Sequence, residues 1–239
     1  MRTNWEIRGM SVEIRTEPRV SVNKLGEYMT ATARRRKGII ETQKSPADFI
    51  VPRYDPATSA IAQSIVEQSP SAILEAFDRL DRELPKTKWT DQRNSDCQEA
   101  LEKFRTIRPE LQRRLGSSSL TLGTNTAPKL SVSGVDISVR PEILVRNEDR
   151  DGTPLFGAVK LYLSKTYELD ENSAQYVGTV LHQYIEQFVV DDDGQADHRA
   201  CCVVDVFAQK IYDAPRAFRA RRKDIEAACE EIALRWSVS

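Results

Sequence analysis

Two charged residues interrupt apolar segments that otherwise predict neighbouring β-strands. Glu142 follows a proline in RPEILVR (140–146), and Lys160 stands in FGAVKLY (156–162). The polar turn NEDRDGTP separates the two segments, so we expect an antiparallel hairpin. Successive strand residues point to opposite faces, which places Lys160 on the face that Glu142 also reaches if the register allows.

An acid and a lysine on one sheet face have two interpretations. Mg²⁺ prefers carboxylate oxygens together with water and substrate phosphate, so Glu142 is a candidate catalytic residue and metal ligand. Lys160 is the matching catalytic candidate, because it could orient the attacking water or neutralise charge that develops on a phosphorane. The alternative is a cross-strand ion pair at the margin of a half-buried sheet.

The elements that position this pair follow from the hydrophobic period. Three-to-four-residue spacing and capping residues predict the helices, and alternation predicts the strands. The stretch 5–22 alternates in part and predicts a short hairpin or an extended arm, while the prolines of 44–60 predict an extended connector. Helices are predicted over 23–43, 56–68, 71–84, 90–114, 171–189 and 216–236, a loop over 116–128, and strands over 129–134, 135–146, 154–164 and 199–208.

This order divides the chain into a mainly helical region, 1–115, and an α/β core, 116–239, on which the helix 90–114 packs. Three antiparallel strands followed by a helical crossover to a fourth strand give a mixed β-sheet flanked by helices on both sides. The crossover should be right-handed.

The order helix, three strands, helix, strand resembles that of the PD-(D/E)XK nuclease-like superfamily over about residues 90–210. Pro141-Glu142 matches the first half of its motif, and Lys160 matches the closing lysine. The resemblance implies a restriction-endonuclease-like αβββαβ core and Mg²⁺ or Mn²⁺ held by two acids. Ala158 stands where the superfamily places the second acid.

The missing acid directs attention to the neighbouring helices. Glu186 on the helix after the third strand is the candidate second metal ligand, and Glu99 and Glu102 on the preceding helix are alternatives. His182 lies on the same helical stripe as Glu186. We predict that it is an auxiliary catalytic group that binds phosphate or moves a proton; a histidine satisfied by a neighbouring carbonyl is the alternative.

Two basic runs are candidate nucleic-acid contacts, since arginine clusters bind phosphate. The alternative is a solvated or acid-paired face. The candidates are Arg34, Arg35 and Lys37 in the first run, and Arg219, Arg222 and Lys223 in the second. Asp205, a lone acid in the apolar CCVVDVFA, needs a buried partner, and we expect an ion pair with Lys210, Arg216 or another arginine.

The composition limits the class of protein. The chain has 239 residues and a net charge of −1, which argues against an arm that coats nucleic acid nonspecifically. Four cysteines without a CxxC pair and only two histidines argue against structural zinc. No stretch has the apolar length of a membrane span, and the first ten residues lack a signal-peptide core, so we expect a cytoplasmic protein.

These observations predict a divergent metal-dependent nucleic-acid phosphodiesterase, for DNA processing or defence. The alternative is a nuclease-like module that has lost catalysis and binds DNA or a protein partner, with a homodimer left open. A third class is a small regulatory or toxin-neutralising protein whose sheet edge binds another chain.

Overall fold

The computed structural model describes residues 14–46, 53–124, 126–191 and 193–238. Residues 5–13 of the predicted arm and 47–52 of the predicted connector lie outside the described residues. The described chain forms, in order, β1 Arg19–Ser21, α1 Val22–Thr30, α2 Ala33–Lys44, α3 Asp55–Val66, α4 Ser71–Arg82, α5 Lys88–Leu115, β2 Ser119–Leu122, β3 Leu130–Val132, β4 Val135–Ser138, β5 Ile143–Glu148, β6 Pro154–Tyr162, α6 Glu171–Phe188, β7 Gln195–Asp205, β8 Lys210–Asp213 and α7 Phe218–Val238.

The larger sheet has the strand order β2-β5-β6-β7-β8. Strands β2, β5 and β6 form an antiparallel meander, and β7 returns parallel to β6 through α6 before β8 closes the edge antiparallel. Because β6 and β7 are parallel, their connection needs a crossover helix, which α6 supplies. The predicted mixed sheet is confirmed.

Helices cover both faces of this sheet. On one face, α3, α4 and α5 pack on side chains such as Ile143, Val159 and Val204. On the other face, α1, α2, α6 and α7 share a core with Ala158 and Val203. The alternation of β6 therefore separates two cores, with Val159 and Leu161 in one and Ala158 and Tyr162 in the other.

Three strands form a separate small sheet in the order β1-β4-β3. The predicted single strand 135–146 is wrong, because it divides into β4 of the small sheet and β5 of the large one. The chain turns between them at Arg140, whose φ is 45°, and Pro141 follows without an N–H to donate.

Two further predictions near this turn are also wrong. The strand predicted over 129–134 is β3 of the small sheet, not the first strand of the large sheet. That first strand is β2, which lies inside the predicted loop 116–128. Strand β2 is mostly exposed and pairs on one side with β5, so its Ser- and Thr-rich composition resembles a loop.

The helix predictions hold with one exception. Helices α3 to α7 begin and end within two residues of the predicted limits. The predicted helix 23–43 is two helices, because the chain is extended at Ala31 and at Thr32, whose hydroxyl accepts from the Arg35 amide to cap α2. Among the described helices, none combines the length and apolar composition that crossing a bilayer requires.

Candidate functional site

A cleft of about 480 Å³ lies where β2 ends, β5 begins and β6 ends; we call it the sheet-end cleft. The start of α3 and Asn23 of α1 complete its walls. The polar residues of its lining that the structure describes are Asn23, Arg53, Tyr54, Asp55, Thr58, Ser59, Gln63, Thr124, Arg140, Glu142 and Lys160.

Glu142 and Lys160 face each other in this cleft. Ile143 pairs with Val159, so one step back along the antiparallel register sets Glu142 opposite Lys160. Lys160 Nζ lies 2.7 Å from Glu142 Oε1, and the Leu161 amide donates to Glu142 Oε2 at 2.6 Å. The side chain of Lys160 is only 9% exposed and that of Glu142 only 15%. The structure thus brings together the two residues that the sequence singled out, as an ion pair at the cleft wall.

Arg140 completes the environment of Lys160. Its carbonyl accepts a second hydrogen bond from Lys160 Nζ at 2.9 Å. The backbone of Arg140 has a φ of 45°, a left-handed conformation that is costly for a residue with a Cβ. This conformation directs the carbonyl to Lys160, while the exposed guanidinium has no hydrogen bond or ion pair with any described residue.

Gly123 lies against the same turn. Its amide donates to the Glu142 carbonyl at 2.9 Å. A Cβ at this position would lie 1.8 Å from the Pro141 carbonyl oxygen, so only glycine permits this approach. The loop after β2 therefore fixes Pro141-Glu142 in place.

Among the described residues of the cleft, few acid groups are available to a divalent metal ion. Both oxygens of Glu142 already accept hydrogen bonds from the protein, and Ala158 supplies no second carboxylate. Asp55 is the other acid among the described residues of the lining. Among the described residues, no group of three or more His, Cys, Asp or Glu side chains is placed to share one ion. Mg²⁺ is usually bound by one or two carboxylates together with water and substrate phosphate, so in the described lining a metal ion would depend on Glu142 and Asp55.

Glu186 and His182 lie in a different environment, between α6 and α7. Glu186 pairs with Arg222 at 2.7 Å, and Arg222 Nη2 lies 3.2 Å from His182 Nδ1. His182 stacks on Phe218 with ring centroids 4.6 Å apart. Burial lowers the His182 pKa, opposed by the charge of Glu186 and a hydrogen bond with the Ala196 backbone.

The distance from this cluster to Lys160 follows from the sheet register. Ala196 pairs with Phe156, four residues before Lys160 on β6. At roughly 3.3 Å per strand residue, this contact is about 13 Å from Lys160 along the strand. The structure therefore does not bring Glu186 or His182 to Glu142. The backbone contact of His182 agrees with the alternative of a satisfied histidine.

The acids of the preceding helix, α5, divide into two kinds. Glu102 is exposed without an ion pair among the described residues, whereas Glu99 pairs with Lys165. Asp96, one turn before, is fully buried and accepts from Lys165 at 2.5 Å and from Gln92 at 3.0 Å. Burial alone would raise the Asp96 pKa, but these hydrogen bonds outweigh it and lower the pKa.

Asp96 also pairs with Arg53, which lines the sheet-end cleft. The buried acid of α5 therefore reaches the cleft indirectly, through an arginine. Arg53 comes directly after the part of the connector that lies outside the described residues.

The first basic run has mixed surroundings. Arg35 donates to the buried Glu27 at 2.6 Å, and Lys37 lies 3.8 Å from Glu41. The Arg34 side chain is exposed and contacts no acid among the described residues.

The second basic run divides in the same way. Arg222 pairs with Glu186 at 2.7 Å, whereas Arg219 and Lys223 are exposed without an acid among the described residues. Within the described part of the chain, three of the six candidate nucleic-acid contacts, Arg34, Arg219 and Lys223, therefore lack the acid partners that the other three have.

Asp205 does not form the expected ion pair. Its Oδ2 accepts from the Leu169 amide at 2.9 Å and its Oδ1 from the Ala208 amide at 3.0 Å. The neighbouring Lys210 instead lies 3.7 Å from Glu168. Backbone amides satisfy the buried carboxylate, because the turn after β7 and the chain before α6 both direct N–H groups toward it.

Sequence reasoning missed the cleft residues that come from distant elements. Arg53 and Tyr54 fell in a predicted connector, and Asp96 resembled an ordinary helix acid. The position of Arg140 directly before Pro141-Glu142 could have indicated that it lies at the site, but the turn that it forms was predicted as part of a strand. The sequence matches no protein-family model and no curated protein.

Proposed function

We propose that this chain is a nuclease-like module that binds nucleic acid in the sheet-end cleft without hydrolysing it. One observation carries the proposal: both oxygens of Glu142 are held by Lys160 and the Leu161 amide, and Ala158 replaces the second acid. The order α5, β2, β5, β6, α6, β7 supports a restriction-endonuclease-like αβββαβ core.

The charges of the cleft favour an anionic ligand. Glu142 balances Lys160, and the buried Asp96 balances part of the charge of Arg53. Arg140 has no acid partner among the described residues, so its guanidinium can bind a phosphate. Asp55 is exposed at the rim and opposes this attraction.

Binding and cleavage can be separated in one experiment. Fluorescence anisotropy with labelled DNA and RNA measures affinity over a salt series, and gel assays with plasmid and RNA in Mg²⁺ or Mn²⁺ measure cleavage. We expect retention that weakens as salt rises, because phosphate contacts release counterions, and no cleavage. Cleavage that disappears in Glu142→Ala would overturn the proposal, and so would failure to bind either nucleic acid.

A metal-dependent phosphodiesterase remains the second candidate. The observation that favours it is the position of Glu142 directly opposite Lys160 at a cleft. Thermal unfolding with and without Mg²⁺ or Mn²⁺ tests it. A metal-dependent rise in Tm that is absent in Glu142→Ala supports the enzyme, and an unchanged Tm together with intact substrates supports the binding module.

A further inference from the structure

We infer that the sheet-end cleft holds a single-stranded nucleic acid, with one phosphate between Arg53 and Arg140, and that Asp96 positions Arg53. This inference rests on the proposed function and names its ligand and its contacts. The two arginines belong to distant parts of the chain, the residue that precedes α3 and the turn between β4 and β5, and both line the same cleft.

Arg53 is fixed on one side and open on the other. Its guanidinium pairs with Asp96, yet its side chain is 49% exposed. Asp96 is itself immobilised by Lys165 and Gln92 on the protein side. Because a guanidinium has five N–H donors in a planar fork, the donors that Asp96 does not use remain available to the cleft.

Arg140 is fixed through its backbone. Lys160 donates to its carbonyl, and the Gly123 amide donates to the carbonyl of Glu142, two residues further along. The Arg140 side chain is exposed and lacks an acid partner in the described part of the chain. Its left-handed φ of 45° is the kind of strain that is retained where a side chain must be presented in one direction.

The other groups of the cleft suit an unpaired strand. Proteins that hold single strands combine basic groups with an aromatic ring on which a base stacks. Tyr54 is half-buried in the lining and packs edge-on against Phe207 with ring centroids 5.4 Å apart. Asn23 also lines the cleft. A volume of about 480 Å³ is within the range of small-ligand sites, so it admits one nucleotide rather than a duplex.

Anisotropy with a labelled twelve-nucleotide single strand and a hairpin duplex of the same sequence tests the ligand. We expect the single strand to bind more tightly. Arg53→Ala and Arg140→Ala should each weaken its binding about tenfold, as loss of a direct arginine contact does. Arg150→Ala is the matched control, because Arg150 is exposed in the turn at the far end of the β5–β6 hairpin, and should bind as wild type.

The test of Asp96 must separate a loss of binding caused by a misplaced Arg53 from a loss caused by a less stable protein. Asp96→Asn should weaken binding in the wild-type background and have no further effect in Arg53→Ala, since a positioning residue acts only through the group that it holds. Arg53→Lys, which keeps the charge and loses the fork, should lose most of the affinity while its Tm stays near that of wild type.

The outcomes distinguish this inference from the proposed function. Binding that is unchanged in Arg53→Ala and Arg140→Ala, or a preference for the duplex, overturns the inference and leaves nucleic-acid binding intact. No binding of either probe overturns both. An acidic peptide that binds as tightly as the single strand and depends on Arg140 overturns the nucleic-acid assignment.

Discussion

The ammonium of Lys160 joins the side chain of Glu142 to the backbone of Arg140, at 2.7 Å and 2.9 Å. One cation therefore stabilises both the carboxylate opposite it and the left-handed turn by which the chain leaves the small sheet for the large one. Lys160 thus links the ion pair to the turn.

A double-mutant cycle with Glu142→Gln and Lys160→Met should show strong coupling. Each single change leaves the other charge poorly compensated in a nearly buried position, which we expect to cost about 3 kcal/mol of unfolding free energy. The double variant should be more stable than the sum predicts, with a coupling of roughly 1–3 kcal/mol. Urea unfolding measures all four proteins. Additive losses would show that the pair is not an energetic unit.

Gly123→Ala should destabilise the protein and disturb the cleft. The new Cβ would overlap the Pro141 carbonyl, so the backbone must shift, at a cost of about 1–3 kcal/mol. Gly38→Ala is the control, since a Cβ there meets nothing within 4 Å and it lies inside α2. We expect the free energy of unfolding of that control to rise by about 0.5–1 kcal/mol, because alanine restricts the unfolded chain more than glycine does. Thermal unfolding compares them, and equal Tm values for the two variants would contradict the close approach.

Protonation of His182 should make stability depend on pH. Burial lowers its pKa in the folded protein, so the unfolded chain binds the proton more readily. The stabilising contribution is therefore complete above the unfolded pKa, near 6.5, and is lost as pH falls below that value toward the folded pKa. Arg222, Glu186 and His198 are the charged or titratable groups near the ring, and Arg222 and His198 oppose its protonation.

Urea unfolding of wild type and His182→Gln at pH 5, 6, 7 and 8 measures this effect. Below about pH 6.5, the free energy of unfolding should fall with decreasing pH in wild type and fall less in the variant. Identical slopes in the two proteins would show that His182 has the same pKa in the folded and unfolded chains.

Asp205→Ala should cost about 2 kcal/mol of unfolding free energy, because the Leu169 and Ala208 amides lose their charged acceptor. Lys210→Ala should change stability by less than about 0.5 kcal/mol, since the acid that it contacts among the described residues, Glu168, is exposed. Chemical denaturation distinguishes the two interpretations of Asp205. A large loss in Lys210→Ala would restore the ion pair that the sequence suggested.

Local patterns predicted the parts of the fold that local forces determine. The apolar period of α3 to α7 is strong, so their limits were predictable to within two residues. The pairing of Glu142 with Lys160 was predictable because a short hairpin fixes which side chains share a face.

The remaining features depend on contacts that sequence distance conceals. The edge strand β2 has little apolar signal because one side of it is exposed, and the break at Arg140 depends on a left-handed residue that no propensity indicates. Arg53 and Asp96 are 43 positions apart in the chain, and their ion pair depends on the packing of α3 on α5.

The hydrogen bond from the Leu161 amide to Glu142 Oε2 gives the cleft a spectroscopic reporter. Most strand amides sense only the backbone carbonyl of a neighbouring strand, whereas this proton senses the charge and position of a side chain. Its NMR chemical shift and its exchange rate with deuterium therefore follow the state of the Glu142 carboxylate directly. Any occupant that draws that carboxylate away would reveal itself at Leu161, without a label and without an assay of activity.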